Sequence, residues 1–175
     1  MMRLPKLFRH DGASAAAEMA MVLPFLLALM FGSAELGNYF LDEHGLVKQV
    51  RDGARFASRL PAEANYTCPG TVASDAQTQT ENVVRTGTVD GTGTDGRFST
   101  AYWARDCSGV AQPVTVTIRC VPKDDYSGIY SSLVGDIPVV KVSAAISYRS
   151  ILGELGLPTA NLCLRAESEA AVVGS

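Results

Sequence analysis

The longest apolar run in the chain extends from Gly12 to Ala34, and between Asp11 and Glu35 its one charged residue is Glu18. About 20 apolar residues at a rise of ~1.5 Å cross the ~30 Å hydrocarbon core of a bilayer, so this run predicts a single membrane-spanning helix. Apolar positions keep helical spacing past its end, at Leu36, Tyr39, Phe40, Leu46, Val47, Val50, Ala54, Ala57 and Leu60, until Pro61 stops the pattern. The helix is therefore expected to leave the membrane and bury this stripe against an outer domain. Glu43 interrupts the stripe, and Gly45 and Gly53 each cost about 1 kcal/mol relative to Ala in a helix. A break or bend is expected near Gly45. Pro24 removes a backbone donor inside the span and predicts a kink one turn earlier, near Ala20.

Beyond Pro61 the periodicity changes. From Ala62 to Asp106 the chain is rich in Thr, Ser, Asn, Gly and Asp. Within it, Ser74 is placed to cap a helix running to about Arg85, with Ala76, Thr80, Val83 and Val84 on one side. Thr86 to Gly96 reads as a glycine-rich turn or loop. The last third alternates with period two. Val114, Val116, Ile118 and Cys120 form one apolar row, Val140, Val142, Ala144, Ile146 and Tyr148 a second, and Leu162, Leu164, Ala166, Ser168 and Ala170 a third. Such rows predict an antiparallel sheet covered on one face, with the first helix as its cover. Asp125–Asp136 is expected to be a loop, and Ile151–Pro158 a loop or helical turn. The fold class is α+β: a long N-terminal transmembrane helix extended into a pilin-like head with a small antiparallel sheet. The divisions are 1–12 (basic leader), 13–41 (transmembrane helix), 42–61 (helix extension) and 62–175 (head).

Charge orients this plan. Arg3, Lys6 and Arg9 precede the span against the single acid Asp11, which predicts a cytoplasmic N-terminus and an exported head. A net charge of −3 and a pI of 5.3, with no long basic run outside the leader, argue against a nucleic-acid partner. Arg51, Arg55 and Arg59 form a row best read as a solvated helix face, with Asp52 able to pair with Lys48 or Arg55. A carboxylate inside hydrocarbon costs several kcal/mol unless paired, protonated or close to headgroups, and this makes Glu18 a functional candidate; snorkelling to the headgroups is the bland account.

Four cysteines, Cys68, Cys107, Cys120 and Cys163, lie in the head. An even count in an exported domain predicts two disulfides. Three pairings are open; strand parity sets Cys120 and Cys163 on different faces, yet the expectation leans to Cys68–Cys107 with Cys120–Cys163. No close C-x-x-C pair suggests zinc, and Asp90 with Asp95 offers too few oxygens in register for calcium. The Gly-rich loop lacks the Gly-Lys-Ser/Thr of a phosphate loop. Asn65-Tyr66-Thr67 fits a glycosylation sequon that an ordinary bacterial setting leaves idle. His10 lies in the leader and His44 on the helix extension, and no catalytic motif surrounds either. Neither a cofactor nor an enzyme activity is expected.

Two readings of the apolar run stand without reference to any family. Gly32-Ser33-Ala34 could serve as the cut site of a secretory signal, although the run exceeds the usual ~7–15 apolar residues and contains an acid. It could also be an unprocessed anchor, which would leave an extracytoplasmic binding domain with no filament role.

A third reading rests on a resemblance. Gly12-Ala13, Glu18-Met19-Ala20, Val22-Leu23-Pro24, Phe31-Gly32-Ser33-Ala34-Glu35-Leu36-Gly37 and Val50-Arg51-Asp52-Gly53-Ala54-Arg55-Phe56-Ala57 together resemble the TadE-like proteins of tight-adherence (Flp-type) pilus machinery. The resemblance implies a minor pseudopilin that helps assemble or prime the pilus. It implies cutting by a prepilin peptidase at a processing site made of Gly12, Ala13 and Ser14, either after Gly12 or after Ala13. A cut after Gly12 makes Glu18 the sixth mature residue; a cut after Ala13 makes it the fifth, the usual position, but with Ala before the bond. Glu18 would then set filament register by pairing with an α-amino group of its own or a neighbouring subunit. The implied partners are the lipid bilayer, the peptidase, other pilus subunits and the inner-membrane assembly platform. The implied location is the bacterial inner membrane, with a periplasmic head and incorporation in an extracellular pilus.

Overall fold

A computed structural model describes residues 11–94, 96–98, 100–103, 107, 113–123, 128, 130, 135–154, 156 and 162–174. The leader residues Arg3, Lys6, Arg9 and His10 lie outside the described residues, as do Asp95 and parts of the two late loops.

One helix organises the chain. α1 (Asp11–Ala57) is continuous through Pro24, Gly45 and Gly53. The break expected near Gly45 is thus not found. Both glycines instead sit where other side chains press onto the helix. A Cβ at Gly45 would collide with the Arg97 side chain, and one at Gly53 with Val84. Their cost in helix propensity is offset by close approach. The helix ends at Ala57, short of Pro61, and the chain turns through Ser58–Leu60.

The apolar stripe divides at the level of the head. Leu46, Val50, Ala54 and Ala57 are buried in the core, and Tyr39 and Leu60 pack against it. Leu36 and Phe40, placed in the same stripe by spacing, are exposed. In phase with the buried positions, one turn before Leu46, stands Asp42 rather than a hydrophobic residue, and it too is buried.

After α1 come a single turn α2 (Ala62–Asn65) and a minimal antiparallel hairpin, β1 (Tyr66–Thr67) with β2 (Thr71–Val72). α3 (Ser74–Thr86) follows, burying Ala76, Thr80 and Val84 toward α1. Ser74 is its first residue and not its cap; Ala73 holds the cap position with no side-chain bond. Its end is set by Gly87, whose φ of 80° is the left-handed conformation that lets its N–H reach the Val83 carbonyl at 3.0 Å. α4 (Thr100–Trp103) brings Trp103 into the core, with the Arg85 guanidinium 5.9 Å from the centre of its ring.

The three predicted strands are present as β3 (Val114–Val121), β4 (Ile137–Ser147) and β5 (Cys163–Ala171), antiparallel in the order β3-β4-β5. The turn α5 (Ile151–Glu154) lies between the last two. Val114 and Val116, then Val140, Val142, Ala144 and Ile146, and Leu164 line the inner face against α1 and α3. The outer face carries Lys141 paired with Glu167 at 2.7 Å and Arg119 with Glu169 at 3.5 Å. The head is α+β, with a helix layer on one side of the sheet.

Tyr66 ties the end of α1 to this core. Its hydroxyl donates to the Ala57 carbonyl at 2.7 Å, and burial pushes its pKa up to about 12. In the unfolded chain tyrosine ionises near pH 10. The stabilisation from keeping it neutral is therefore complete below pH 10 and is lost as pH rises through about 12. Melting of the wild type should show an extra fall in Tm over that interval. Tyr66→Phe should lack that fall, while costing about 1 kcal/mol at neutral pH by leaving the Ala57 carbonyl unmatched.

Candidate membrane and assembly helix

Residues 15–34 of α1 lie outside the head, and their large apolar side chains, from Met19 to Phe31, are exposed. A water-exposed stripe of this length and hydropathy has no place in a globular fold. It is one candidate membrane-spanning helix near the N-terminus, which fits a single-span membrane protein. Gly12, Ala13 and Ser14 form its first turn. Glu18 lies one turn further along, on the exposed helix. Pro24 lies mid-helix, with Ala20 one turn before it, and no interruption of α1 accompanies it.

At the other end of the apolar stretch the head fastens to the helix. Glu35 accepts the Leu152 N–H at 3.2 Å through its carboxylate. Its carbonyl accepts the Tyr148 hydroxyl, also at 3.2 Å, and that hydroxyl accepts the Asn38 amide at 3.0 Å. The Tyr39 ring meets Tyr148 edge-on with centroids 5.2 Å apart. This collar joins one turn of α1, from Glu35 to Tyr39, to the end of β4 and to α5. One α-helical turn supplies both carboxylate and amide because positions three and four apart share a face.

A second tie stands one turn above. Asp42, buried, accepts Arg97 Nη2 at 2.7 Å and Nε at 3.1 Å. The Arg97 side chain reaches it across Gly45, and so that position has no room for a Cβ. Removing Arg97 would strand the buried Asp42 carboxylate, whereas removing Asp42 leaves a half-exposed Arg97 that water can solvate; the row Arg51, Arg55 and Arg59 is exposed and Arg55 meets Asp52 only at 3.8 Å. By spacing, Glu43 is the residue that interrupts the stripe. The informative residue is Asp42, a buried acid in phase with Leu46, Val50 and Ala54, which requires a cation to reach in from the surface, as Arg97 does.

The disulfides correct the expected pairing. Cys68 is bonded to Cys120, and Cys107 to Cys163. The register explains why Cys120 and Cys163 do not meet: Cys120 stands opposite Pro138 and Cys163 opposite Ser147, at the two ends of β4. Nine residues of strand separate those levels by about 30 Å. One bridge fastens the β1–β2 hairpin to the end of β3; the other holds Cys107 at the start of β5, beside the collar. Asp90, weighed for calcium, accepts the Thr92 N–H at 3.1 Å and the Thr92 hydroxyl at 2.8 Å in a local turn. His44 is exposed on α1.

Residues 13–55 match the family model of the TadE-like proteins. The match covers α1 apart from two residues at each end, and it includes Glu18, Pro24, the helix side of the collar from Glu35 to Tyr39, and Asp42. This associates the chain with Tad pili through its TadE-like helix, and the head lies beyond the matched residues. No curated protein and no solved structure matches the chain.

Proposed function

We propose that this protein is a TadE-like minor pseudopilin that takes part in assembling or priming a tight-adherence pilus. The observation that carries the proposal is the matched helix itself: one continuous rod with a bare apolar first half and a second half buried in an α+β head. That division suits a subunit stored in a bilayer by its span and moved into a filament, where neighbouring helices replace lipid. In this reading the N-terminus is cytoplasmic, the membrane is the bacterial inner membrane and the head is periplasmic. Prepilin peptidase cuts after Gly12 or after Ala13, and the other partners are pilus subunits and the assembly platform. The head is a contact surface and not an enzyme.

The test is the mature N-terminus of membrane-extracted protein, read by intact mass and N-terminal peptides. A start at Ala13 or Ser14 is expected. A start at Glu35 would make the span a cleaved signal peptide, and a retained Met1 or Met2 would leave an anchored binding domain; either outcome removes the pseudopilin reading.

A further inference from the structure

We infer that the collar end of the head rests on the membrane, with α5 seated in the headgroup layer of the leaflet on the head's side. The inference rests on the reading of α1 as a bilayer span and adds to it a second lipid contact, made by the head.

The span fixes the level. Residues 15–34 at ~1.5 Å per residue cover the ~30 Å of hydrocarbon, which sets Glu35 at the hydrocarbon boundary. Whatever is fastened to Glu35 is held at that depth. Leu152 is, through its N–H at 3.2 Å, and so is Tyr148, through its hydroxyl. These bonds carry the end of β4 and the whole α5 turn to the interface.

The side chains at this edge match that position. Ile151 is 44% exposed and Leu162, whose carbonyl accepts the Tyr148 N–H at 2.8 Å, is 49% exposed. Among the described residues beyond α1, the other large exposed hydrophobics are Val89 and Val173. On α1 itself Leu36 is exposed next to Glu35, and Phe40 and Leu41 are exposed more than one turn further along. Arg149, just before α5, pairs with Glu154 at its end, which leaves the edge without an unpaired charge from that couple. An apolar edge continuous with a membrane span and held at its boundary has lipid as its nearest partner.

The native chain has one tryptophan, Trp103, which is buried in the head and supplies the baseline. The full-length protein, Ile151→Trp and Leu29→Trp are each reconstituted in vesicles of phosphatidylcholine and phosphatidylglycerol, with and without acyl-chain bromination. Expected is blue-shifted, bromine-quenched emission from Ile151→Trp beyond the native loss, at less depth than Leu29→Trp. If Leu29→Trp is quenched while Ile151→Trp emits as in water, the span holds and the seated head is overturned. Blue-shifted emission from Ile151→Trp that neither acyl-chain bromine nor a headgroup-attached spin label quenches would mean a protein contact and would also overturn it. If Leu29→Trp is itself unquenched, the span reading fails and the inference falls with it. Far-ultraviolet circular dichroism of each variant confirms that the exposed Ile151 position accepts the larger ring.

Discussion

Glu18→Ala is expected to abolish pilus assembly, or to reduce it at least tenfold, while leaving the protein in the membrane in normal amount. The separation of the two effects follows from where the charge sits. On insertion scales an acid at the centre of a span opposes membrane entry by about 2.5–3.5 kcal/mol; Glu18, near one end, opposes it by less but with the same sign, so its removal cannot impair insertion. A loss of assembly would therefore report on a contact that the carboxylate makes afterwards. Under the proposed reading that contact is with a new α-amino group, and a desolvated pair of this kind loses several kcal/mol when one partner is removed. The register of the cut decides whose amine it is. A chain starting at Ser14 places its amine four residues from Glu18, on the same helix face and about 6 Å along the axis. A chain starting at Ala13 places it five residues away and well round the helix, which favours a neighbouring subunit. Membrane fractionation and pilus yield, measured together on the same cells, decide the matter. Full assembly by the alanine variant would remove the proposed role of Glu18.

Much of this architecture is written in local periodicity, and the parts that are not share a cause. The bare apolar half of α1, the buried row Leu46, Val50, Ala54 and Ala57, and the three strands follow from spacing alone, because each is set by which face of one element meets water. The failures concern pairs of distant residues. Gly45 and Gly53 read as weak points in a helix because propensity counts only the helix; the structure adds Arg97 and Val84, which need the missing Cβ. Glu43 stands out as an acid within the stripe, but it is Asp42, in phase with Leu46, that is buried. The collar could not be read at all: Glu35 and Leu152 are joined only once the sheet has packed on the helix. The disulfides failed in the same way. Parity says which face of a strand a cysteine occupies, but not which end of β4 lies beside it, and the register was what separated Cys120 from Cys163. The family match adds nothing on these points for the head, since it stops at Arg55.

Removing both disulfides is expected to leave the head unfolded or nearly so at 37 °C. The bridges span 52 and 56 residues, and loops of that length correspond to about 4 kcal/mol each by chain entropy. Together they approach the whole ~5–15 kcal/mol by which a domain of this size is stable. Cys68→Ser/Cys120→Ser and Cys107→Ser/Cys163→Ser should each lower Tm by about 10–20 °C, and the quadruple variant should show no cooperative melt. The two pairs should also fail in different places. Cys68–Cys120 secures the β1–β2 hairpin, whereas Cys107–Cys163 secures the start of β5 beside Tyr148 and the collar. Hydrogen exchange should therefore show the Leu152 amide losing protection when the second pair is removed, and keeping it when only the first is. Non-reducing peptide maps should recover Cys68 joined to Cys120 and Cys107 joined to Cys163. A head whose Tm is unmoved by reduction would draw its stability from the α1–sheet core alone. Equal loss of Leu152 protection in both variants would mean that the collar unfolds with the head as one unit and has no separate attachment at β5.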